Sequence, residues 1–188
     1  MLETIRQRMT SAEYHSLPES PQCRELIDGE VLLNPPLYYH QKVLGAIFLT
    51  LSHILQGRGE LAFAPAGLHL EEGYDLEPNL FWVSPQNTGC SLGADGRYFY
   101  GPPDLIIEVR SPTTAYRDTG IKYDLYEKHG VAEYWVIDPT GQQVLVYQRE
   151  ENRFKRQGSF LSGQYFQSVV LNLRIETAPF FPPPRSRN

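Results

Sequence analysis

Asp104, Glu108, Arg110 and Lys122 fall within one stretch, GPPDLIIEVRSPTTAYRDTGIKYDLYEKHGVAEYWVIDP (Gly101–Pro139), and their types suit metal binding or charge pairing. Carboxylates hold hard divalent cations, and Lys or Arg can pair with carboxylates. Asp104-Leu-Ile-Ile-Glu108-Val109 reads as a strand opened by a Pro-Pro stop. With the strand period of two, Leu105, Ile107 and Val109 share one face and Asp104, Ile106, Glu108 and Arg110 the other. A central strand hides both faces, so ionisable groups on one of them need compensation by a metal ion or a cationic partner. A salt bridge from Glu108 to Arg110 or to a neighbouring strand would also serve.

The elements that follow must position these groups. Ser111-Pro112-Thr113-Thr114 breaks the strand, and the pattern predicts a helix from Asp118 to His129 that ends at Gly130. Ile121 and Leu125 form its apolar stripe, and Lys122 lies beside it with Asp118 and Tyr126 four residues away on either side. Glu133-Tyr-Trp-Val-Ile-Asp138 is a second apolar strand, closed by Pro139. Strand, helix, strand at this spacing is a βαβ unit with parallel strands and a right-handed crossover. Its helix covers the first strand, so one helix edge can aim Lys122 at the carboxylates. The alternative is a solvated lysine paired with Asp118.

PPDLIIEVRSPTT, the Asp118-x-x-x-Lys122-x-x-x-Tyr126 helix, Gly130-Val-x-Glu-Tyr-Trp and Ile137-Asp-Pro together resemble a bacterial family of restriction-endonuclease-like proteins in the PD-(D/E)XK nuclease superfamily. Glu25-Leu-Ile-Asp-Gly-Glu30 resembles that family's first strand pair. The resemblance runs from Thr10 to the last strands. It implies a magnesium- or manganese-dependent DNA endonuclease in which Glu108 is the acidic residue of the (D/E)XK half-motif. Lys122 then replaces, from the helix, the lysine expected two positions after Glu108, where this chain has Arg110. Arginine keeps the charge but cannot deprotonate, and it presents a planar fork.

A second departure lies upstream. The family pattern places a metal-binding aspartate after a proline on the preceding strand, and the chain reads Glu77-Pro78-Asn79-Leu80-Phe81-Trp82. An asparagine carbonyl can bind a hard cation but brings no negative charge. A weaker enzyme, a rescue by Asp75, Glu77 or Asp104, or a catalytically dead relative would each follow. Asp104 either caps its strand near the site as a ligand or sits at a loop boundary. Glu25 either matches the extra acidic residue of such sites or is the polar end of a hairpin strand.

With 188 residues, 41% hydrophobic and 21% charged, the chain reads as one domain with a proper core, spanning about residues 10–175. Its net charge of −5 leaves no overall electrostatic footprint for nucleic acid, so any basic patch must be local. Cys23 and Cys90 make neither a disulfide framework nor a zinc site. Met1–Met9 lacks an apolar signal core, and no run is long enough to cross a bilayer, which points to a cytoplasmic protein.

Along the chain, Thr10-Ser-Ala-Glu13 fits a capping box opening a short helix, and Glu25–Leu33 is a hairpin around Asp28-Gly29. Val43, Ile47, Leu51, Ile54 and Leu55 mark a helix over Tyr38–Gln56. Leu61–Leu70 and Leu80–Val83 read as strands, and Ser84–Arg97 as an exposed loop. Val144–Tyr147 is an antiparallel strand, with short strands near Phe154 and over Val169–Leu173 and a loose tail from Phe180. Gly89-Cys-Ser91-Leu-Gly93 has the letters of a nucleophile elbow without the strand and helix around it. His40 begins the long helix, either near the site or exposed, and no histidine pair sits at i, i+4 as a zinc helix requires. Neither a P-loop nor a dinucleotide fingerprint is present, so no nucleotide cofactor is expected.

The fold expected is α/β, a mixed, twisted sheet of restriction-endonuclease type with two helices against it and further antiparallel strands after Thr140. The function expected is Mg²⁺- or Mn²⁺-dependent hydrolysis of DNA, with Glu108, Asn79 and Asp104 as metal ligands and Glu108, Lys122, Arg110 and Glu25 as the reacting set. A homodimer suits the cutting of two strands. The competing reading is an inactive nuclease-fold binding or scaffold protein, and a third is a hydrolase for small phosphoesters.

Overall fold

The structure is a computed structural model that describes residues 8–18, 23–34, 37–94, 96–110 and 120–183. Its centre is the βαβ unit: β9 (Leu105–Val109), α3 (Ile121–His129) and β10 (Glu133–Asp138), with β9 and β10 parallel. Asp118 lies outside the described residues, and the helix is described from Ile121. Gly130 ends it at φ 93°, a conformation that suits a residue without Cβ. Antiparallel β6 (Leu80–Val83) and β3 (Glu60–Phe63) continue the sheet on one side. On the other side stand β11 (Gln143–Glu150) and β12 (Arg153–Leu161), giving the order β12-β11-β10-β9-β6-β3.

A second six-stranded sheet, ordered β2-β1-β5-β4-β8-β7, comes mostly from the N-terminal half. β1 (Cys23–Ile27) and β2 (Glu30–Asn34) form the hairpin read from Asp28-Gly29, whose φ values of 50° and 74° are those of a tight primed turn. β4 (Gly67–Glu71) and β5 (Tyr74–Leu76) form another, turning at Gly73, and β4 runs parallel to β8 (Tyr98–Tyr100), which pairs with β7 (Ser91–Leu92). Above it sits α1 (Ser11–His15), capped reciprocally by Thr10 and Glu13.

Burial follows the period of two. Leu105, Ile107 and Val109 pack with Val43, Leu44, Ile47, Leu51 and Leu55 of α2 (Tyr38–Leu55), while Ile106 packs with Leu76, Leu125, Tyr126 and Tyr134 on the other face. The central sheet is therefore sandwiched, with α2 on one side and α3 with the N-terminal sheet on the other.

Five expectations are corrected. Leu61–Leu70 is two strands of different sheets, divided around Pro65, whose missing N–H cannot serve a ladder. The Ser84–Arg97 segment contains β7. Val169–Asn172 is the turn between β13 (Tyr165–Ser168) and β14 (Leu173–Glu176), with Asn172 at φ 52°. Ile121 is 48% exposed, and the buried stripe of α3 is Lys122, Leu125 and Tyr126. Of the tail expected over 180–188, residues 180–183 are docked, and 184–188 lie outside the described residues: Phe180 is fully buried, and Tyr39 Oη and Lys42 Nζ donate to the carbonyls of Pro182 and Pro183.

Candidate active site

Glu108 projects from the β9 face that looks toward α3 and the N-terminal sheet, and only 2% of it is exposed. Its Oε1 accepts from Lys122 Nζ at 2.8 Å and from Tyr126 Oη at 2.9 Å, both one turn apart on the buried stripe of α3. Lys122 Nζ also lies 2.7 Å from Glu25 Oε1, so one ammonium joins carboxylates from two sheets. Glu25 is held in turn by the Glu77 amide, which donates to its Oε1. The crossover thus does what the spacing suggested: it brings Lys122 onto Glu108 and adds Glu25.

Asn79 completes the cluster from the residue before β6. The register Leu80↔Ile107 continues to place Asn79 opposite Glu108. The Asn79 amide donates to Glu108 Oε2 at 3.3 Å, and its side-chain Oδ1 accepts the Val109 amide at 2.7 Å. His40, in the first turn of α2, is buried beside the Val109 backbone and the Asn79 side chain. Its Nδ1 is buried without a partner among the described residues. Burial holds the imidazole below the ordinary histidine range, and the Lys122 charge pushes the same way.

The electrostatics are those of a buried carboxylate pair with too little counter-charge. Burial raises Glu108 above the ordinary carboxylate range; Lys122 opposes the shift and Glu25 adds to it. Burial, and after it Glu108, pushes the Tyr126 hydroxyl well above its usual range, so it stays a donor.

Asp104 and Arg110 stand apart from this cluster. Asp104 precedes β9 at the end away from Glu108, and its Oδ2 accepts from the Ser84 amide and Asn87 Nδ2. It fixes a loop, as the loop-boundary reading had it. Arg110 is half-buried just past β9, with its amide bonded to the Ile137 carbonyl. Among the described residues no hydrogen bond joins its guanidinium to Glu108.

Tyr126, which helical spacing placed one turn from Lys122, had no role assigned from sequence, and His40 was left as either near the site or exposed. A further group also escaped notice: His15, His69 and Asp75 present ligand atoms within 4.8 Å of one another. They come from three elements, so a search for i, i+4 histidines passes over them. The cross-strand pair His69↔Asp75 around Gly73 was the available signal.

The Uma2 family model, described as "Putative restriction endonuclease", matches residues 11–177. The chain belongs to that family. A crystal structure of a "putative nuclease belonging to DUF820" from Anabaena variabilis superposes with a TM-score of 0.74 over 92% of this chain and 97% of that one, at 18% identity. That likeness shows a shared fold, and the restriction-endonuclease-like architecture expected from the motifs is the one found. A comparison with curated proteins finds no match. Among the described residues of this Uma2 chain, no helix is long and apolar enough to cross a membrane.

Proposed function

We propose that this chain is a divalent-metal-dependent phosphodiesterase that cuts DNA. The observation that carries the reading is the convergence of Glu108, Glu25 and Lys122, from three elements of a nuclease-family fold, beside Asn79. The donor set suits Mg²⁺ or Mn²⁺: the ligand atoms are hard oxygens, and two carboxylates face one ammonium. Glu108 and Asn79 would hold the ion with help from Glu25, while Asp104 has no part in it. A bound ion of this kind lowers the pKa of a water for in-line attack and offsets phosphate charge.

The chain's own groups supply the rest. Lys122 stabilises charge that builds on the phosphoryl oxygens. Tyr126 holds Glu108 Oε1, leaving Oε2 directed toward Asn79. His40 lies buried beside Asn79. A twofold homodimer would present two such sites to the two strands of a duplex.

A second reading, a nuclease-fold protein that binds without cutting, is favoured by Asn79. Calorimetry with Mg²⁺ and Mn²⁺ on the wild type and Glu108→Ala, alongside nicking of supercoiled DNA, separates the two. Saturable binding and nicking, both lost in the variant, support the enzyme. No binding at millimolar metal, with or without DNA, overturns it.

A further inference from the structure

On the N-terminal sheet, far from any role in the chemistry above, Asp75 is fully buried on β5. His15 Nε2 and His69 Nδ1 each lie 2.7 Å from its Oδ1. Its Oδ2 is buried without a hydrogen-bond partner among the described residues. One carboxylate oxygen thus carries two imidazoles while the other carries none. A buried carboxylate oxygen left in that condition is costly.

The frame around the group is built from several sides. β4 and β5 set His69 directly across from Asp75. Ser11 fixes α1 to the turn between them: its amide donates to Glu72 Oε1, and its Oγ accepts from the Gly73 amide. Tyr14 Oη reaches the Arg24 carbonyl on β1, so both ends of α1 are pinned and His15 is carried to Asp75. Tyr98 stacks on the His15 ring at 4.1 Å, and Tyr100 flanks His69 at 5.3 Å. The two imidazoles keep 24% and 22% of their side-chain surface exposed, which leaves a path for an ion and a place for water.

The group lies apart from the Glu108 cluster. Leu26 pairs with Asp75, so their side chains share one face of the sheet, whereas Glu25 and Ile27 alternate to the other. Glu25 meets Lys122 on that other face.

We propose that His15, His69 and Asp75 form a transition-metal site of the zinc class, separate from the phosphodiesterase centre, that ties α1 to the N-terminal sheet. Two imidazole nitrogens and a carboxylate are the donors Zn²⁺ takes, and three protein ligands with one open position are a known arrangement. The 2.7 Å separations are those of hydrogen bonds. Around an ion with bonds of about 2.0 Å they would open to roughly 3.3 Å, a shift of about half an ångström that swings of the partly exposed rings can supply. A hard ion such as Mg²⁺ has less to gain here, because two of the donors are nitrogen.

The test is titration of the untagged, chelator-stripped full chain with Co²⁺ and Zn²⁺, comparing wild type, His15→Gln, His69→Gln and Glu108→Ala. His15→Gln is the mild change, at a partly exposed ring, and circular dichroism checks that each variant folds. The expected result is one equivalent of Co²⁺ with visible ligand-field bands, displaced by Zn²⁺. Either histidine change should weaken binding by at least the roughly 10- to 100-fold that even a supporting residue is worth, and Glu108→Ala should leave it intact. Zn²⁺ should raise the Tm of the wild type and not of His15→Gln. No Co²⁺ bands in the wild type, or bands that survive in His15→Gln and vanish in Glu108→Ala, would overturn the proposal. Because nicking with Mg²⁺ is scored separately, loss of the zinc-class site and loss of the nuclease reading are distinguishable outcomes.

Discussion

The side-chain oxygen of Asn79 accepts the backbone amide of Val109 at 2.7 Å. Asparagine has one such oxygen, and this bond identifies which end of the amide it is. The other end is an NH₂ group, so Oδ1, already carrying the Val109 bond, is the one side-chain atom through which Asn79 can face a cation. An aspartate in the same pose would keep the Val109 bond with one oxygen and offer the second, charged, to a metal. Asn79→Asp should therefore raise Mg²⁺ affinity about tenfold or more, equivalent to ~1.4 kcal/mol, and increase nicking. The same change should lower the Tm of the metal-free protein, because a third carboxylate joins Glu108 and Glu25. Calorimetry and thermal melts with and without Mg²⁺ check both signs; unchanged affinity would point to the binding-protein reading.

Lys122 is the counter-charge of two carboxylates that are almost wholly buried. Replacing it with methionine keeps its length and removes the ammonium that both acids share, a loss expected to cost about 3–5 kcal/mol. The deficit should shrink as pH falls, since burial raises Glu108 and its protonation removes a buried charge, and should shrink when Mg²⁺ is added. Urea unfolding at pH 5 and pH 8 measures it. A deficit that does not change with pH would mean the carboxylates are not the source.

The βαβ unit was legible because its strands are continuous apolar runs and its helix ends in glycine. That topology allowed the Glu108–Lys122 contact but left it beside a second reading, a solvated lysine paired with Asp118. Glu25 was ambiguous, because one hairpin strand does not reveal which sheet face meets another. The second sheet was largely hidden: β5, β7 and β8 are two or three residues long, too short to show a period. Asp104 illustrates the converse. A carboxylate in the right stretch, on the right face by parity, stands at the wrong end of the strand and serves Ser84 and Asn87.

Glu133 is a buried acid with a structural task. Trp135 Nε1 donates to its Oε1, and the Val169 and Val170 amides donate to its Oε2, pinning the β13–β14 turn to the central sheet. Burial holds it above the ordinary carboxylate range although these donors pull it back. A carboxyl raised on folding contributes stability that is full below its unfolded value of 4.5 and is lost as pH rises through the folded value. Glu133→Gln turns an NH₂ toward one set of donors and should cost about 1–3 kcal/mol. Its deficit relative to wild type should be largest near pH 4 and smaller at pH 8. Denaturant midpoints across that range give the slope, and a deficit growing with pH would contradict the sign.

Cys90 is buried, and burial together with Asp104 pushes its thiol up to about 12. The thiolate is the reactive form, so the thiol should be nearly inert to alkylation in the native protein. Mass spectrometry after iodoacetamide treatment should find Cys90 modified only once denaturant passes the unfolding midpoint. Rapid native labelling would mean that the turn from Asn87 to Cys90 opens locally.

Phe180 closes the core from the far end of the chain. It is fully buried, its ring lies 6.2 Å from that of Trp135, and the short 3₁₀ turn Ala178–Phe180 packs it against α2. Three prolines follow in a segment that reads as a tail, but Pro182 and Pro183 offer their carbonyls to Tyr39 and Lys42 on the first turns of that helix. These are the turns that carry His40, so the docked segment braces the element behind Asn79. Phe180→Ala should cost about 3–5 kcal/mol through the cavity it leaves. If the bracing matters, the same variant should lower Mg²⁺ affinity at a temperature where it is still folded. Calorimetry at low temperature, paired with urea unfolding, separates the two effects; full stability in the variant would restore the tail reading.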